Sequence, residues 1–122
     1  MILSFSKNLR YYVYRHATDM RKGFDSLSGM VNNEFLMSPI SGDVFIFFNH
    51  RRNRIKVLHW QGDGFAIFYK RLETGTYEIP LKNTTKNNVE IEAQTLQLIL
   101  EGITLSSVKK RQRFQMKNVS NL

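Results

Sequence analysis

The stretch that decides the fold is residues 54–71, RIKVLHWQGDGFAIFYKR. Two runs rich in β-branched and aromatic residues flank the tetrapeptide QGDG at 61–64. Its two glycines suit a tight reversal of the chain between two strands. The pattern therefore predicts strands over residues 55–60 and 65–72 that pair as an antiparallel hairpin.

The pairing register decides which side chains share a face of this hairpin. With Trp60 opposite Phe65 across the loop, Lys56 faces Tyr69 and Arg54 faces Arg71. Because side chains alternate along a strand, one face then carries cations at one end and aromatic rings toward the loop. The residues predicted on this face are Arg54, Lys56, Leu58, Trp60, Phe65, Ile67, Tyr69 and Arg71, and those on the opposite face are Ile55, Val57, His59, Ala66, Phe68 and Lys70.

Three further strands are predicted outside the hairpin. Residues 10–15, RYYVYR, are rich in β-forming side chains and predict a first strand. Residues 43–49 are apolar on both alternating faces, which is typical of a central strand. Residues 76–79 predict a short edge strand that ends at Pro80, and residues 82–88 a polar loop.

Two helices complete the prediction. The first spans residues 20–35 with Thr18 or Asp19 as its N-cap, and its glycines leave open a late start or an irregular helix. Its apolar stripe consists of Met20, Phe24, Leu27, Val31 and Phe35. The second spans residues 92–100 and stops at Gly102. The sequence thus predicts an α+β fold, an antiparallel β-meander of about five strands with two helices packed on one face.

The composition indicates one soluble domain. The 122 residues contain 42% hydrophobic side chains, which supplies enough material for a core, and no cysteine, which excludes disulfides and thiolate metal sites. We expect a single domain over residues 1–105 and a basic, flexible tail over residues 106–122. No signal peptide or apolar run near the ~20 residues of a membrane span is present. We expect a cytoplasmic protein.

The net charge of +8 is unevenly distributed. Residues 1–75 carry 11 Lys and Arg against 6 Asp and Glu, residues 76–105 carry 2 against 4, and residues 106–122 carry 5 against none. A basic block of this kind is typical of a nucleic-acid-binding arm or of a solvating tail. Its candidate contacts with DNA are Lys109, Lys110, Arg111 and Arg113.

The turn at residues 50–53 and the basic face of the hairpin are the second candidate DNA surface. Arginine and lysine suit phosphate contacts, and tyrosine adds stacking on bases. The predicted contacts are Arg51, Arg52, Arg54, Lys56, Tyr69, Lys70 and Arg71. The alternative is that Trp60, Phe65 and Ile67 form core and that the cations only surround it.

Catalytic and metal sites find little support. His16, His50 and His59 lack zinc-ligand spacing, and no phosphate-binding loop or nucleophile elbow occurs. Asp19, Asp25 and Asp43 remain candidates for a two-metal nuclease, as an alternative to a non-enzymatic role. We expect no enzyme activity, no metal, no cofactor and no small-molecule substrate.

Several blocks along the chain carry a resemblance. The block at residues 18–22 reads Thr18, Asp19, Met20, Arg21 and Lys22. With it, residues 41–47, 49–56, 60–65, 68–73 and 100–103 resemble the TnpB (Orf2-like) family of bacterial insertion sequences of the type numbered sixty-six. The similarity extends over residues 10–105. The sequence departs from the family pattern at His16, where glycine is common, and at Ile79, where tryptophan is usual.

The resemblance implies a non-catalytic accessory protein of transposition that acts beside a separate transposase. Its expected partners are DNA at the ends of the element and the cognate transposase, with a homo-oligomer possible and no membrane. A protein–protein adaptor without DNA affinity is the alternative. It also implies a bacterial cytoplasmic location, at the nucleoid if the protein binds DNA. At the residue level, we interpret the 18–22 block as a helix cap with a buried or semi-buried ion pair, in which Asp19 accepts helix N–H groups and Arg21 or Lys22 projects near the helix start.

Overall fold

Five strands form one open sheet in the computed structural model, which describes residues 6, 8–80 and 85–102. The strands occur in the spatial order β4-β3-β2-β1-β5. Their bounds are β1 Tyr11–Tyr14, β2 Val44–Phe48, β3 Arg54–Trp60, β4 Phe65–Arg71 and β5 Asn88–Ile91. With two helices, this confirms the predicted α+β class and the number of strands.

The β3–β4 hairpin has the predicted register. Trp60 lies opposite Phe65, Lys56 opposite Tyr69, and Arg54 opposite Arg71. The turn closes with the Gln61 N–H donating to the Gly64 carbonyl over 2.9 Å, and Gly62 adopts a positive φ of 93°. The glycine-rich turn thus fixes the faces of the hairpin as the sequence indicated.

The sheet is mixed, which corrects the prediction of an antiparallel meander. Strand β1 runs parallel to β2, with Tyr11 beside Val44 and Val13 beside Ile46, whereas the other strand pairs are antiparallel. The connection between them, residues 15–43, contains a helix and brings the chain back to the end of the sheet at which β1 begins, so that β2 runs in the same direction. A parallel pair requires such a crossover, so the meander is confined to β2, β3 and β4.

The first helix is shorter than predicted and irregular. Helix α1, Phe24–Met30, continues as a π-helical segment, Val31–Phe35. Gly23 occupies its N-cap position without a side-chain cap, so the assignment of Thr18 or Asp19 as the cap is wrong. Asp19 instead accepts hydrogen bonds from Arg21. The segment ends at Leu36, whose positive φ of 57° terminates the helix.

The two helices pack on opposite faces of the sheet, which corrects the prediction of one face. Helix α2, Ala93–Glu101, contributes Leu96 and Ile99 to a cluster with Tyr11 and Val13. On the other face, Leu27 of α1 and Val31 and Phe35 of the π-helical segment pack against Tyr12 and Tyr14. Every residue of β1 and β2 is buried, so both faces need a cover and one helical layer cannot supply it.

The predicted edge strand at residues 76–79 is also absent, and β5 takes the edge beside β1. Tyr77, 2% exposed, packs in the core on the α2 side and donates its N–H to the Arg52 carbonyl over 2.7 Å. Strand β5 pairs antiparallel with β1 instead. Its sequence, NVEI, alternates polar and β-branched residues, but a run of four residues between a polar stretch and a helix is too short to predict a strand locally. No helix in the described residues is long and apolar enough to cross a membrane.

Candidate nucleic-acid interface

The turn between β2 and β3 is organised by one asparagine. Asn49 Oδ1 accepts the N–H groups of Asn53 and Arg54 at 3.0 and 2.9 Å, and its Nδ2 donates to Asn53 Oδ1 at 2.7 Å. The side chain therefore replaces several of the hydrogen bonds that a longer strand pair would make. Arg51 and Arg52, between these anchors, are exposed. The sequence thus folds here into a rigid turn that presents cations to solvent.

Arg52 has an unusual backbone conformation in this turn. Its φ is +59°, in the left-handed region that glycine and asparagine tolerate best. Its N–H donates to the Asn49 carbonyl at 3.1 Å, and its carbonyl accepts from Tyr77, so hydrogen bonds hold the conformation on both sides. An arginine at such a position costs about 1 kcal/mol or more in backbone energy. The local conformation alone therefore does not account for an arginine here.

The 18–22 block lies beside this turn. Thr18, 4% exposed, donates its N–H to the Phe48 carbonyl at the end of β2 over 2.8 Å. Asp19 accepts from Arg21 Nη2 at 2.7 Å and from the Arg21 N–H at 2.9 Å. These hydrogen bonds from Arg21 lower the pKa of Asp19 to about 2. The predicted ion pair is present, but it is exposed and spans a loop, where the prediction had it at a helix start.

An open groove of about 570 Å³ brings the block and the turn together. Arg54 Nη1 donates to the Tyr69 hydroxyl across its floor at 3.2 Å. The only carboxylate among the described residues that line it belongs to Asp19, which is already paired with Arg21. The lining residues are Thr18, Asp19, Met20, Arg21, Asn49, His50, Arg51, Arg54 and Tyr69. Residues more than 25 positions apart in the chain thus form one cationic surface.

Lys56 contacts residues beside this groove and is not one of its lining residues. Its side chain is 8% exposed, and its Nζ donates to the Lys22 carbonyl at 2.7 Å. The same ammonium lies 4.6 Å from the centroid of the Tyr69 ring. We interpret Lys56 as a residue that positions the 18–22 block, because its charge is already engaged.

The other predicted contacts are dispersed. Arg71 is on the same sheet face as Arg54, but its Nε donates to Glu73 Oε2 at 2.9 Å. Lys70 is exposed on the opposite face, where it pairs across the strands with Ile55. Arg52 lines a second cavity described below. The predicted contacts of the tail, Lys109, Lys110, Arg111 and Arg113, lie outside the described residues, as does the whole of 106–122.

Some hydrophobic residues of this hairpin face pack against the core, whereas others lie at the surface. Phe65 and Ile67 pack against the core on the α1 side, as the alternative interpretation held. Trp60 contacts Phe65 edge to face, with ring centroids 5.0 Å apart. Tyr69 is 47% exposed, so it alone of these rings combines large exposure with a place in the groove.

The second cavity, of about 270 Å³, lies on the other side of the Asn49–His50 segment. Its cationic or titratable members are Arg15, His16, His50 and Arg52, and the remaining lining residues are Tyr14, Ala17, Phe48, Asn49 and Ile79. His16 and Ile79, the two departures from the family pattern, meet here. The sequence-based prediction missed Arg15 and His16 as site residues because it expected β1 and β2 to be antiparallel. In a parallel pair the residues after both strands meet at one sheet edge.

The nuclease alternative is not supported by the geometry. Among the described residues, no three or more His, Cys, Asp or Glu side chains are grouped so that they could hold a metal ion. Asp19, Asp25 and Asp43 are all described, and they do not form such a group. Asp19 is occupied by Arg21, and Asp25 lies in the first turn of α1.

Comparison with known proteins gives a family and two relatives. The family described as IS66 Orf2 like protein matches residues 9–110. The uncharacterized protein y4jC of Sinorhizobium fredii (strain NBRC 101917 / NGR234) is 27% identical over 106 residues, 87% of this chain and 89% of the relative. The uncharacterized protein y4hO of the same strain is 30% identical over 102 residues, 84% of this chain and 87% of the relative. No solved structure matches the chain.

Proposed function

Because this chain belongs to the IS66 Orf2-like family, we propose that it is a non-catalytic accessory protein of DNA transposition that binds DNA through the groove between residues 18–22 and 49–54. The family match confirms the resemblance found in the sequence. Membership indicates an accessory protein of an insertion sequence. The DNA contact and its place on the surface are the proposal.

The observation that carries the proposal is the charge of the groove. Arg21, Arg51 and Arg54 line it together, and the one carboxylate among its described lining residues is paired with Arg21. Among the described residues, the Arg54 guanidinium donates to the neutral Tyr69 hydroxyl and forms no ion pair, so its positive charge is not compensated there. Guanidinium groups that line an open groove have the charge and the hydrogen-bond donors that suit contacts with a phosphate backbone.

Tyr69 adds a second kind of contact. Lys56 approaches its ring and Arg54 fixes its hydroxyl, so the ring is held in place while 47% of the residue stays exposed. An exposed ring of fixed orientation can stack on an unpaired base. The groove therefore combines the phosphate contacts of a duplex-binding surface with one stacking position for a distorted or single-stranded end.

Salt-titrated DNA binding tests the proposal. The wild-type chain and the Arg51→Gln/Arg54→Gln variant are titrated with duplex DNA carrying the element end and with random duplex from low to high salt. Each lost phosphate contact reduces the slope of log K against log salt by about 0.9, so the double variant should lose about 2 from the slope. Lys70→Gln, which removes one charge on the opposite sheet face, is the control, and it is compared with Arg51→Gln alone, which also removes one charge.

Three results decide the outcome. A shallower slope for the groove variant with an unchanged slope for Lys70→Gln supports binding through the groove. Equal effects of Arg51→Gln and Lys70→Gln, which each remove one charge, would make the interaction a general response to net charge. Binding without salt dependence, or no binding, would overturn the DNA contact.

The cognate transposase is the second proposed partner. Leu36 and Ile40, between the π-helical segment and β2, are 82% and 58% exposed, which favours a protein contact on this loop. Co-purification of the transposase from nuclease-treated lysate should be lost in Leu36→Glu/Ile40→Glu and kept in Arg51→Gln/Arg54→Gln. Retention of the transposase by the first variant would contradict this contact.

A further inference from the structure

The cavity of about 270 Å³ beside the groove carries two arginines and two histidines. Among the described residues that line it there is no carboxylate. Its volume is several times the ~30 Å³ that one water molecule occupies, so a phosphate group and ordered water fit within it. A concave site with four cationic or titratable nitrogen-bearing side chains and no lining acid favours an anion.

The cavity is built by the backbone of three segments. Arg15 donates its N–H to the Asn87 carbonyl at 2.7 Å, which ties the end of β1 to the segment before β5. His50 and Arg52 come from the turn that Asn49 organises, and the Arg52 carbonyl is held by the Tyr77 N–H. Arg52, the arginine with the left-handed backbone, thus lies in this cavity. A positive charge at this position is a reason for an arginine to occupy a strained conformation.

The hydrogen bonds of His16 determine its neutral tautomer. Asn87 Nδ2 donates to the Glu34 carbonyl at 3.3 Å, which orients the amide, and His16 Nε2 lies 3.3 Å from Asn87 Oδ1. Since Oδ1 only accepts, Nε2 carries the proton, and Nδ1 of the neutral ring is an acceptor. Protonation converts Nδ1 into a donor and adds a positive charge.

The charged groups around the two histidines lie in the cavity and, for His50, also in the groove, whose lining includes Asp19, Arg21, Arg51 and Arg54. Arg15 follows β1 and Arg52 belongs to the β2–β3 turn. Glu34, from the π-helical segment, accepts from the Tyr14 hydroxyl at 3.3 Å, and burial together with this carboxylate raises the pKa of Tyr14. Glu78 and Lys86 adjoin Ile79 and Asn87 in sequence and are not lining residues. The groups that line the cavity therefore favour an anion at every pH, and more so after protonation.

We propose that this cavity is a phosphate-binding subsite whose affinity increases as His16 and His50 become protonated. The inference rests on the proposed function only where the phosphate belongs to DNA. His50 and Asn49 line both the cavity and the groove, so a nucleic-acid backbone in the groove can place a phosphate in the subsite. Histidine is the side chain whose charge changes between about pH 5 and 8, and phosphodiesters keep a constant charge over that range.

Inorganic phosphate is the first probe. Histidine ring resonances of the full chain are followed by NMR from pH 5 to 8.5, with and without phosphate at constant ionic strength. Phosphate should move the titration midpoints of His16 and His50 to higher pH and leave that of His59 unchanged. His59 is the internal control because it lies far along β3, with Nε2 3.1 Å from the Gly42 carbonyl. Arg15→Gln/Arg52→Asn should abolish the phosphate effect.

Duplex DNA is the second probe. Between pH 8 and pH 6 the slope of log K against log salt should steepen by about 1 to 2, because each imidazolium that meets a phosphate adds about 0.9. His16→Gln/His50→Gln should remove this change of slope with pH, whereas His59→Gln should keep it as the wild type does.

The outcomes separate this inference from the proposed function. If phosphate shifts the two histidines but DNA does not bind, the subsite stands as a site for free phosphate and the DNA proposal fails. If DNA binds through Arg51 and Arg54 but His16 and His50 respond to neither probe, the subsite is overturned and the DNA proposal stands. Equal shifts of all three histidines would mean a bulk ionic effect and would also overturn it.

Discussion

The Lys56 ammonium lies 4.6 Å from the centroid of the Tyr69 ring, between the hairpin and the 18–22 block, whose Lys22 carbonyl it contacts at 2.7 Å. Cross-strand pairing brings the two side chains opposite each other. One lysine thus orients the exposed ring of the groove and anchors the loop that supplies Arg21. The hairpin register determines the shape of the candidate interface through this contact.

Replacement of Lys56 by methionine should destabilise the protein. Lys56→Met leaves the Lys22 carbonyl without its charged donor, and a hydrogen bond to a charged group contributes about 1.5–3 kcal/mol. We expect a loss of about 1–3 kcal/mol in the free energy of unfolding, measured by urea denaturation. Lys70→Met, an exposed site on the neighbouring strand, should change it by less than about 0.5 kcal/mol. Similar losses in both variants would contradict the anchoring role.

Asp19 should titrate near pH 2 because of Arg21. The side-chain and backbone hydrogen bonds from Arg21 lower the pKa of Asp19 to about 2, against about 3.9 in an unfolded chain. The resulting contribution to stability is present above pH 4 and is lost as the pH falls toward 2. The carboxyl resonance of Asp19 in an NMR titration should give this midpoint, and Arg21→Gln should raise it.

Lys22→Gln is the control for that titration, since Lys22 has the weakest of the effects that lower the pKa of Asp19. It should move the midpoint much less than Arg21→Gln does. Because the ion pair is exposed, high salt should weaken the lowering of the Asp19 pKa by Arg21 and by Lys22. An Asp19 midpoint near pH 4 in the wild-type chain would show that the ion pair does not persist in solution.

Glycine at position 52 should separate stability from binding. Arg52→Gly relieves a left-handed backbone that costs a non-glycine residue about 1–2 kcal/mol, which offsets the ~1 kcal/mol of added freedom in the unfolded chain. We expect a free energy of unfolding within about 1 kcal/mol of the wild type or higher, with weaker phosphate binding. Arg51→Gly, at a neighbour without a positive φ, should lose about 1 kcal/mol. Equal losses at both positions in thermal unfolding would argue against strain at Arg52.

The two core layers should respond independently to mutation. Val31 and Ile99 are fully buried in clusters on opposite faces of the sheet. Val31→Ala should cost about 2 kcal/mol and Ile99→Val about 1 kcal/mol. In a double-mutant cycle their effects should add to within about 0.5 kcal/mol. A larger coupling energy would indicate that both side chains share one core, as two helices on one face would require.

Several features of the fold were predictable from sequence because they depend on neighbours in the chain. The glycine-rich turn and strict alternation of side chains fixed the β3–β4 register. The run from Val44 to Phe48, apolar on both faces, identified the central strand, and the period of Leu96 and Ile99 identified α2. The cations at 51–54 were visible as candidates for the same reason.

The candidate site was only partly predictable, because it is assembled from separate segments. Nothing local marks Arg15 and His16 as neighbours of His50; the parallel pairing of β1 with β2 brings them together. Lys56 was a plausible DNA contact by charge, and only its burial shows that it supports Lys22 instead. Charge and residue type are properties of the sequence, but exposure and convergence depend on packing.

By itself, then, the sequence determined the hairpin, the central strand, the α+β class and the family, because turn geometry, side-chain alternation and collinear motifs act over short distances. The tertiary structure decided that β1 runs parallel to β2, that β5 replaces the predicted edge strand, and that the helices cover opposite faces. Those choices depend on burying two apolar sheet faces at once. That requirement belongs to the whole chain, and it also places the 18–22 block beside the arginines of the turn.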